Sequence, residues 1–284
     1  MDTPFSATDD EHHAMDLEKG FPTSGLPMST RLRLWLTSDI DTRWADTILL
    51  ACFFVTGMVD AVAFNTWNSF VGMQTGNTIF AGLGASDLPD TVPRHTWTKS
   101  LVAIVCFCLG ALFFSRYHRY LSPLKRWVIA SSFFIQTAFM ILTAGLISGG
   151  VVSKTGESRT DGGRGSFPWH ELCPIALLSF QAAGQIVASR VLKFNALPTV
   201  VLTSLFCDLM GDPDLFTAGL LADPDRNRRA LGAVLLFGGA AVSGALIKSS
   251  SVGYQGALWV ATGVKGAMVL AWLVWSPKRQ QAQK

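Results

Sequence analysis

From about residue 45 onward the chain repeats one pattern, an apolar run near the length of a bilayer crossing followed by a short polar break. A hydrocarbon core of ~30 Å takes about 20 helical residues. Six runs have roughly that length: about 46–64, 98–116, 127–148, 172–190, 229–247 and 255–275. Two further apolar stretches, 69–85 (SFVGMQTGNTIFAGLGA) and 197–210 (LPTVVLTSLFCDLM), are shorter and interrupted by polar residues or proline. Each reads either as a span in a tight bundle or as a re-entrant half-helix shielded from lipid by its neighbours. The predicted fold is an all-α, polytopic membrane helix bundle of six or eight crossings.

Tryptophan agrees with this segmentation. Trp44, Trp67, Trp97, Trp127, Trp169, Trp272 and Trp275 fall at or near span boundaries, where aromatic belts form. Residues 1–44 make a polar N-terminal tail. Its first thirty residues are acidic and rich in Pro, Ser and Thr, a composition that does not fold alone. RLRLWLTSDIDTRW (31–44) alternates basic and apolar residues, as an interfacial segment does. The tail shows no apolar signal segment, so the first span is expected to direct its own insertion. The bundle occupies 45–276, divided into halves 45–148 and 169–276 by a Gly/Ser-rich loop at 149–168, and a basic tail closes the chain at 277–284.

Composition narrows the function classes. Of 284 residues 49% are hydrophobic and only 15% charged, against about 25% charged in soluble domains. The net charge of +3 is too small and scattered for a nucleic-acid partner; the partner is the lipid bilayer. Cys52, Cys106, Cys108, Cys173 and Cys207 lie mostly within apolar runs and lack metal-ligand or disulfide spacing. His12 and His13 suit a solvated tail, and His95, His118 and His170 sit at loops or span ends. No metalloprotease, phosphate-loop, serine-nucleophile or paired-carboxylate pattern is present. No enzyme activity, metal or cofactor is expected.

Charge chooses between six crossings and eight only weakly, since both place most Lys and Arg on the face that carries the termini. Eight crossings strand Arg116, Arg119, Lys125 and Arg126 together on the opposite face, so six crossings with both termini cytoplasmic are preferred. The halves then run in opposite senses. Each contains a span with a glycine, Gly57 or Gly184, then a broken stretch reaching Thr75 or Thr203 after 18 or 19 residues. Inverted repeats with broken helices near mid-depth are common among secondary transporters.

Three polar features stand out inside the apolar runs. Asp60 costs at least ~2.5–3.5 kcal/mol at a helix centre; it faces the bundle interior with a partner, or it is wetted near the end of its span. Thr75, Gly76 and Asn77 form a compact triplet that suits unwound backbone or an ordinary close helix contact. Lys265 lies in the middle of the last span. Gln136 and Gln181 read as interhelical hydrogen-bonding groups, Gln185 is a further polar residue within a span, and Arg190 and Asp208 read as interfacial. Gly263 and Gly266, with the Gly239/Ser243 and Ala240/Gly244 pairs, suit close helix packing.

The Gly57-x-x-Asp60-Ala61 element, with Phe70-Val71 and Thr75-Gly76-Asn77 after it, resembles the YoaK-like family of multi-pass membrane proteins, domain of unknown function 1275. PTVVLTSLFCDLM (198–210) and DPDRNRRALGAVLLFGG (223–239) resemble its fungal branch, and the likeness covers about 46–275. It implies about six spans and no activity that carries over. The second-half counterpart of Thr-Gly-Asn reads Thr203-Ser204-Leu205, so a shared pocket would be asymmetric.

Two functions follow as expectations: a small-solute transporter or permease, or a non-transporting membrane scaffold. In the first, Asp60, Thr75, Gly76, Asn77, Thr203, Ser204 and Lys265 bind solute or line a pore. Thr75 and Asn77 are expected to meet Thr203 and Ser204 near mid-depth, and Asp60 is expected to form an ion pair with Lys265.

Overall fold

The computed structural model describes residues 27–86, 95–152 and 169–278, except 216, 218, 220, 221, 250 and 251. Most of the N-terminal tail, including His12 and His13, most of the 149–168 loop and residues 279–284 lie outside the described residues. Within them the chain forms α1 (Met28–Thr37), α2 (Ala45–Trp67), α3 (Gln74–Ala85), α4 (Thr96–Tyr120), α5 (Arg126–Ser148), α6 (Trp169–Val191), α7 (Leu202–Met210), α8 (Pro224–Lys248) and α9 (Gly253–Val274). Six of these, α2, α4, α5, α6, α8 and α9, are long and apolar enough to cross a membrane. Their ends fall within five residues of the hydropathic runs. Local chemistry sets two of the boundaries. The Asp223 carboxylate accepts from the Asp225 and Arg226 amides, with Pro224 at the first turn of α8. Those amides, Arg226 first, hold the Asp223 carboxyl below the usual carboxylate range. At the end of α2, Asn68 turns left-handed at φ 55° and its amide closes on Phe64 O.

Polar clasps sort the helix ends onto two faces. On the face that carries both described chain ends, the Asp41 amide donates to Ser276 O at 3.0 Å and the Lys278 amide to Asp39 O at 2.9 Å. Arg126, wholly buried, binds the Trp35 carbonyl, the Ser38 hydroxyl at 2.7 Å and the Trp275 carbonyl at 2.6 Å. Its guanidinium lies 3.7 Å from the centre of the Trp35 ring. Arg228 joins the start of α8 to Asp46 at the start of α2, at 2.6 Å. On the opposite face a buried Lys99–Glu171 ion pair ties the starts of α4 and α6, and Lys99 also donates to Trp67 O at the end of α2. The six long helices therefore alternate in direction. The 12-residue α3 leaves from and returns to the Trp67 face, and the nine-residue α7 does the same on the termini face. At 1.5 Å per residue these are about 18 and 14 Å long, too short to cross. Both are re-entrant, as the six-crossing arrangement requires.

Packing follows the chain's division into halves. α2 packs mainly on α8 and, correspondingly, α6 on α4; α9 touches α2 as α5 touches α6; α3 lies on α4 as α7 lies on α8. Burial repeats the correspondence. In the most apolar window of each helix, α2 and α6 are each 67% buried, whereas α4 and α8 are only 28% and 17% buried. The inner pair and the outer pair thus come one from each half. Both outer crossings are glycine contacts: a side chain at Gly239 would strike the Phe54 carbonyl, and one at Gly110 the Phe180 carbonyl. Leu101, Val105, Leu109 and Leu112 form an exposed stripe on α4, as Leu231, Val234 and Phe237 do on α8. Such stripes suit lipid contact.

Two sequence readings change. Trp67 and Trp272 are fully buried; Trp272 packs 5.8 Å from Phe133 and 4.9 Å from Trp275, ring centre to ring centre. They fill the core at helix ends, whereas Trp44 and Trp169 remain exposed in belt fashion. Among the glycines, Gly57 and Gly239 are close crossings, but a side chain at Gly244 or Gly263 would meet open space.

Gly239→Val should lower stability in detergent by about 1–3 kcal/mol through overpacking, while Gly244→Val changes the thermal midpoint little; equal effects contradict the crossing. For the buried ion pair, Glu171→Gln or Lys99→Met alone should cost about 3–5 kcal/mol, and the double variant clearly less than their sum. Additive losses in thermal or denaturant melts would show that the two charges do not interact.

Candidate functional site

Where the chain turns back after α2, the 69–73 segment has amide groups that no helix satisfies, and in a bilayer each must find a partner. Asp60, one 4%-exposed residue on the inner face of α2, supplies it. Its Oδ1 accepts from the Val71 amide at 2.8 Å and the Gly72 amide at 2.9 Å. Gly72 leaves room for the carboxylate, because a Cβ there would sit 2.8 Å from Asp60 Oδ2 and force one of the two to shift. Asn77, one turn into α3, closes the same loop: its Oδ1 accepts from the Phe70 amide at 3.1 Å and its Nδ2 donates to Phe70 O at 2.8 Å and Gln74 Oε1 at 2.9 Å. Gly76 makes room for the Phe70 ring, 3.1 Å from where its Cβ would lie. Phe70 stacks on Phe64 of α2, centroids 4.7 Å apart.

The second re-entrant segment approaches the same helix from the other face. The Ser189 hydroxyl near the end of α6 lies 2.8 Å from both the Phe194 and Leu197 carbonyls, folding the chain back. Thr199 O then accepts from the Thr56 hydroxyl at 3.0 Å, one turn along α2 from Asp60. Thr56 also lies 2.9 Å from its own-helix carbonyl, Cys52 O, and accepts from Gln185 Nε2 on α6. Gln185 Oε1 in turn accepts from Lys265 Nζ at 2.7 Å. A continuous polar chain, Lys265–Gln185–Thr56–Thr199, thus crosses α9, α6, α2 and the start of the second half-helix region.

Lys265 does not pair with Asp60. Fully buried, it is held by the Gln185 amide oxygen and lies 5.1 Å from the centre of the Phe133 ring. Asp60 Oδ1 is taken by backbone amides, so the carboxylate serves the broken backbone rather than a cation on α9. Asp60 Oδ2 has no hydrogen-bond partner, nor has Gln181 Oε1. Both residues line one cavity of about 10 Å³ with Val55, Thr56, Gly72 and Gln185, close to the smallest volume that holds a water.

The expected meeting of the two polar motifs does not occur. Thr75, Thr203 and Ser204 are exposed, and the Asn77 side chain bonds within its own loop. The segments that converge on α2 are those just ahead of the half-helices, Val71–Gly72 and Thr199. The physical reason is that extended backbone carries the unsatisfied groups, while residues inside a formed helix have theirs satisfied. Gly57 and Gly184 also differ in role: Gly57 receives the α8 backbone at Leu236 and Ala240, while Gly184 abuts the Gln136 side chain. Thr56, Gly72 and Thr199 escape a sequence search because small and hydroxyl residues are common in membrane spans. Gln185 is visible as an intramembrane polar residue, but its partners depend on tertiary packing. A wider surface cleft of about 600 Å³ on the termini face is lined by Asn195, Cys207, Asp208, Asp212 and Arg229.

No curated protein and no solved structure matches the chain. The profile described as Protein of unknown function (DUF1275) matches residues 48–271, a range that holds every residue of the α2 site and nearly all of the six long helices. The chain belongs to the DUF1275 family.

Proposed function

We propose that this protein is a small-solute permease whose translocation site lies at mid-bundle, against α2. The observation that carries the reading is the arrival of two broken segments, from opposite faces, at adjacent turns of one buried helix beside an unpartnered carboxylate oxygen. Broken helices in inverted halves place such sites near mid-depth in secondary transporters, and the packing of the halves supports that comparison. A 10 Å³ cavity is a closed conformation; solute enters when the 69–73 or 197–201 segment moves off α2. The excess of Lys and Arg favours a cytoplasmic termini face. On this reading the protein catalyses no chemical reaction, and its PTVVLTSLFCDLM and DPDRNRR segments align it with fungal-type, YoaK-like members. The solidity of the bundle favours the second reading, a scaffold acting through the basic segments of the termini face.

Reconstitution into liposomes, with uptake screened across amino acids, sugars, nucleosides, and organic and inorganic ions, tests the proposal. The protein should move one solute class. Gly72→Ala, whose Cβ presses on Asp60 Oδ2 while the amide bonds to Oδ1 stay in reach, should cut that flux about tenfold or more, equivalent to ~1.4 kcal/mol or more, with the fold retained. A folded protein that neither binds nor moves any class contradicts the permease and leaves the scaffold.

A further inference from the structure

Two buried acceptor oxygens without a partner belong to residues that line one small cavity. Asp60 Oδ2 comes from α2 and Gln181 Oε1 from α6; their residues are 4% and 2% exposed, and neither oxygen has a partner. Two bare acceptors in a low-dielectric interior are costly. The donors of the loop, of Thr56 and of Gln185 are committed. The Val71 and Gly72 amides bind Oδ1, the Thr56 hydrogen points to carbonyl oxygens, and Gln185 Nε2 binds Thr56. The charged and titratable groups nearby are also accounted for. Lys265 on α9 is engaged by Gln185, and Cys52 lies two turns along α2 against Met268. From α8 the Ser243 hydroxyl reaches Met58 O, and its charged Arg228 is engaged by Asp46 at the start of α2. The 69–73 and 197–201 segments carry no titratable side chain. A dehydrated hard metal cation takes about six oxygens, and two with room for about one water do not supply them.

One hydrogen satisfies both oxygens. We propose that Asp60 and Gln181 form a proton-binding site: a proton on Asp60 Oδ2 is held toward Gln181 Oε1, directly or through a single water, and exchanges with solvent when the cavity opens. Binding forms one O–H bond, takes the carboxylate from charge −1 to 0, and leaves the two amide bonds to Oδ1 in place. Its role as the coupling ion rests on the permease reading above; the binding itself does not.

The test is infrared spectroscopy of the purified full-length protein in lipid nanodiscs, following the carbonyl stretch of protonated carboxyl groups as pH is raised. Asp60→Asn is the reference, because its amide keeps an oxygen for Val71 and Gly72 and offers an N–H to Gln181. Wild type should lose one band that Asp60→Asn lacks at every pH, and Gln181→Leu should shift the frequency of that band. Identical spectra for wild type and Asp60→Asn overturn the proposal, as does loss of the band on adding Na⁺ or K⁺ at fixed pH. Should Asp60→Asn fail to fold, Gln181→Leu decides alone: an unshifted band overturns the site. A titrating band without flux sinks the permease and keeps the proton site; flux without the band does the reverse.

Discussion

The bond from Asp60 to the Val71 and Gly72 amides is the contact on which the remaining architecture depends. A chain that turns back inside a bilayer exposes amide groups to a medium that offers no hydrogen bonds, and each costs several kcal/mol unless the protein satisfies it. A carboxylate is the strongest acceptor available for two neighbouring amides. Its placement on one of the two most buried long helices both shields the turn from lipid and offsets the burial of the charge. The absence of a side chain at Gly72 leaves room for that approach. With the turn secured, α3 can run back to the face it left, and α4 begins there.

The second half solves the same problem with different chemistry. Its turn is held by the Ser189 hydroxyl and by Thr56 reaching the Thr199 carbonyl. The first turn thus offers donors to a carboxylate, and the second offers carbonyls to hydroxyls. The two halves supply complementary polarity to one helix, and the cavity lined by α2 and α6 residues is where the two solutions meet. The buried Lys265 donates to Gln185, which in turn reaches Thr56. Asp60 Oδ2 is thereby left without a hydrogen-bonded cation, the condition for a site that can bind and release.

Much of this was legible in the residues. Hydropathy located all six long helices because a span must be apolar along its whole length, and the same constraint exposed 69–85 and 197–210 as too short and too polar. Asp60 was legible because a carboxylate in an apolar run has few innocent explanations. Its partner was not. Lysine is the familiar choice for a buried carboxylate, but backbone amides carry no sequence signature, and they took its place. Lys99 and Glu171 stand near span ends, where charge is ordinary; only the packing of α4 against α6 makes them a buried pair. Arg126 was hidden by the same logic within a basic loop. The tryptophans were half legible, since position at a span end is periodic information, while facing lipid or core at that depth is set by the neighbouring helix.

The most direct check on the account is the side of the membrane on which four exposed positions emerge, because re-entry and full crossing by 69–85 and 197–210 give different answers. Single cysteines at Ser86, Ser122, Asn195 and Ser276, in a background with the five native cysteines replaced, can be labelled with an impermeant thiol reagent in oriented vesicles. Re-entry places Ser122, Asn195 and Ser276 on one side and Ser86 alone on the other. Labelling of Ser86 together with Ser276, with Ser122 and Asn195 on the opposite side, would mean that both segments cross the membrane, and the convergence on Asp60 would be wrong.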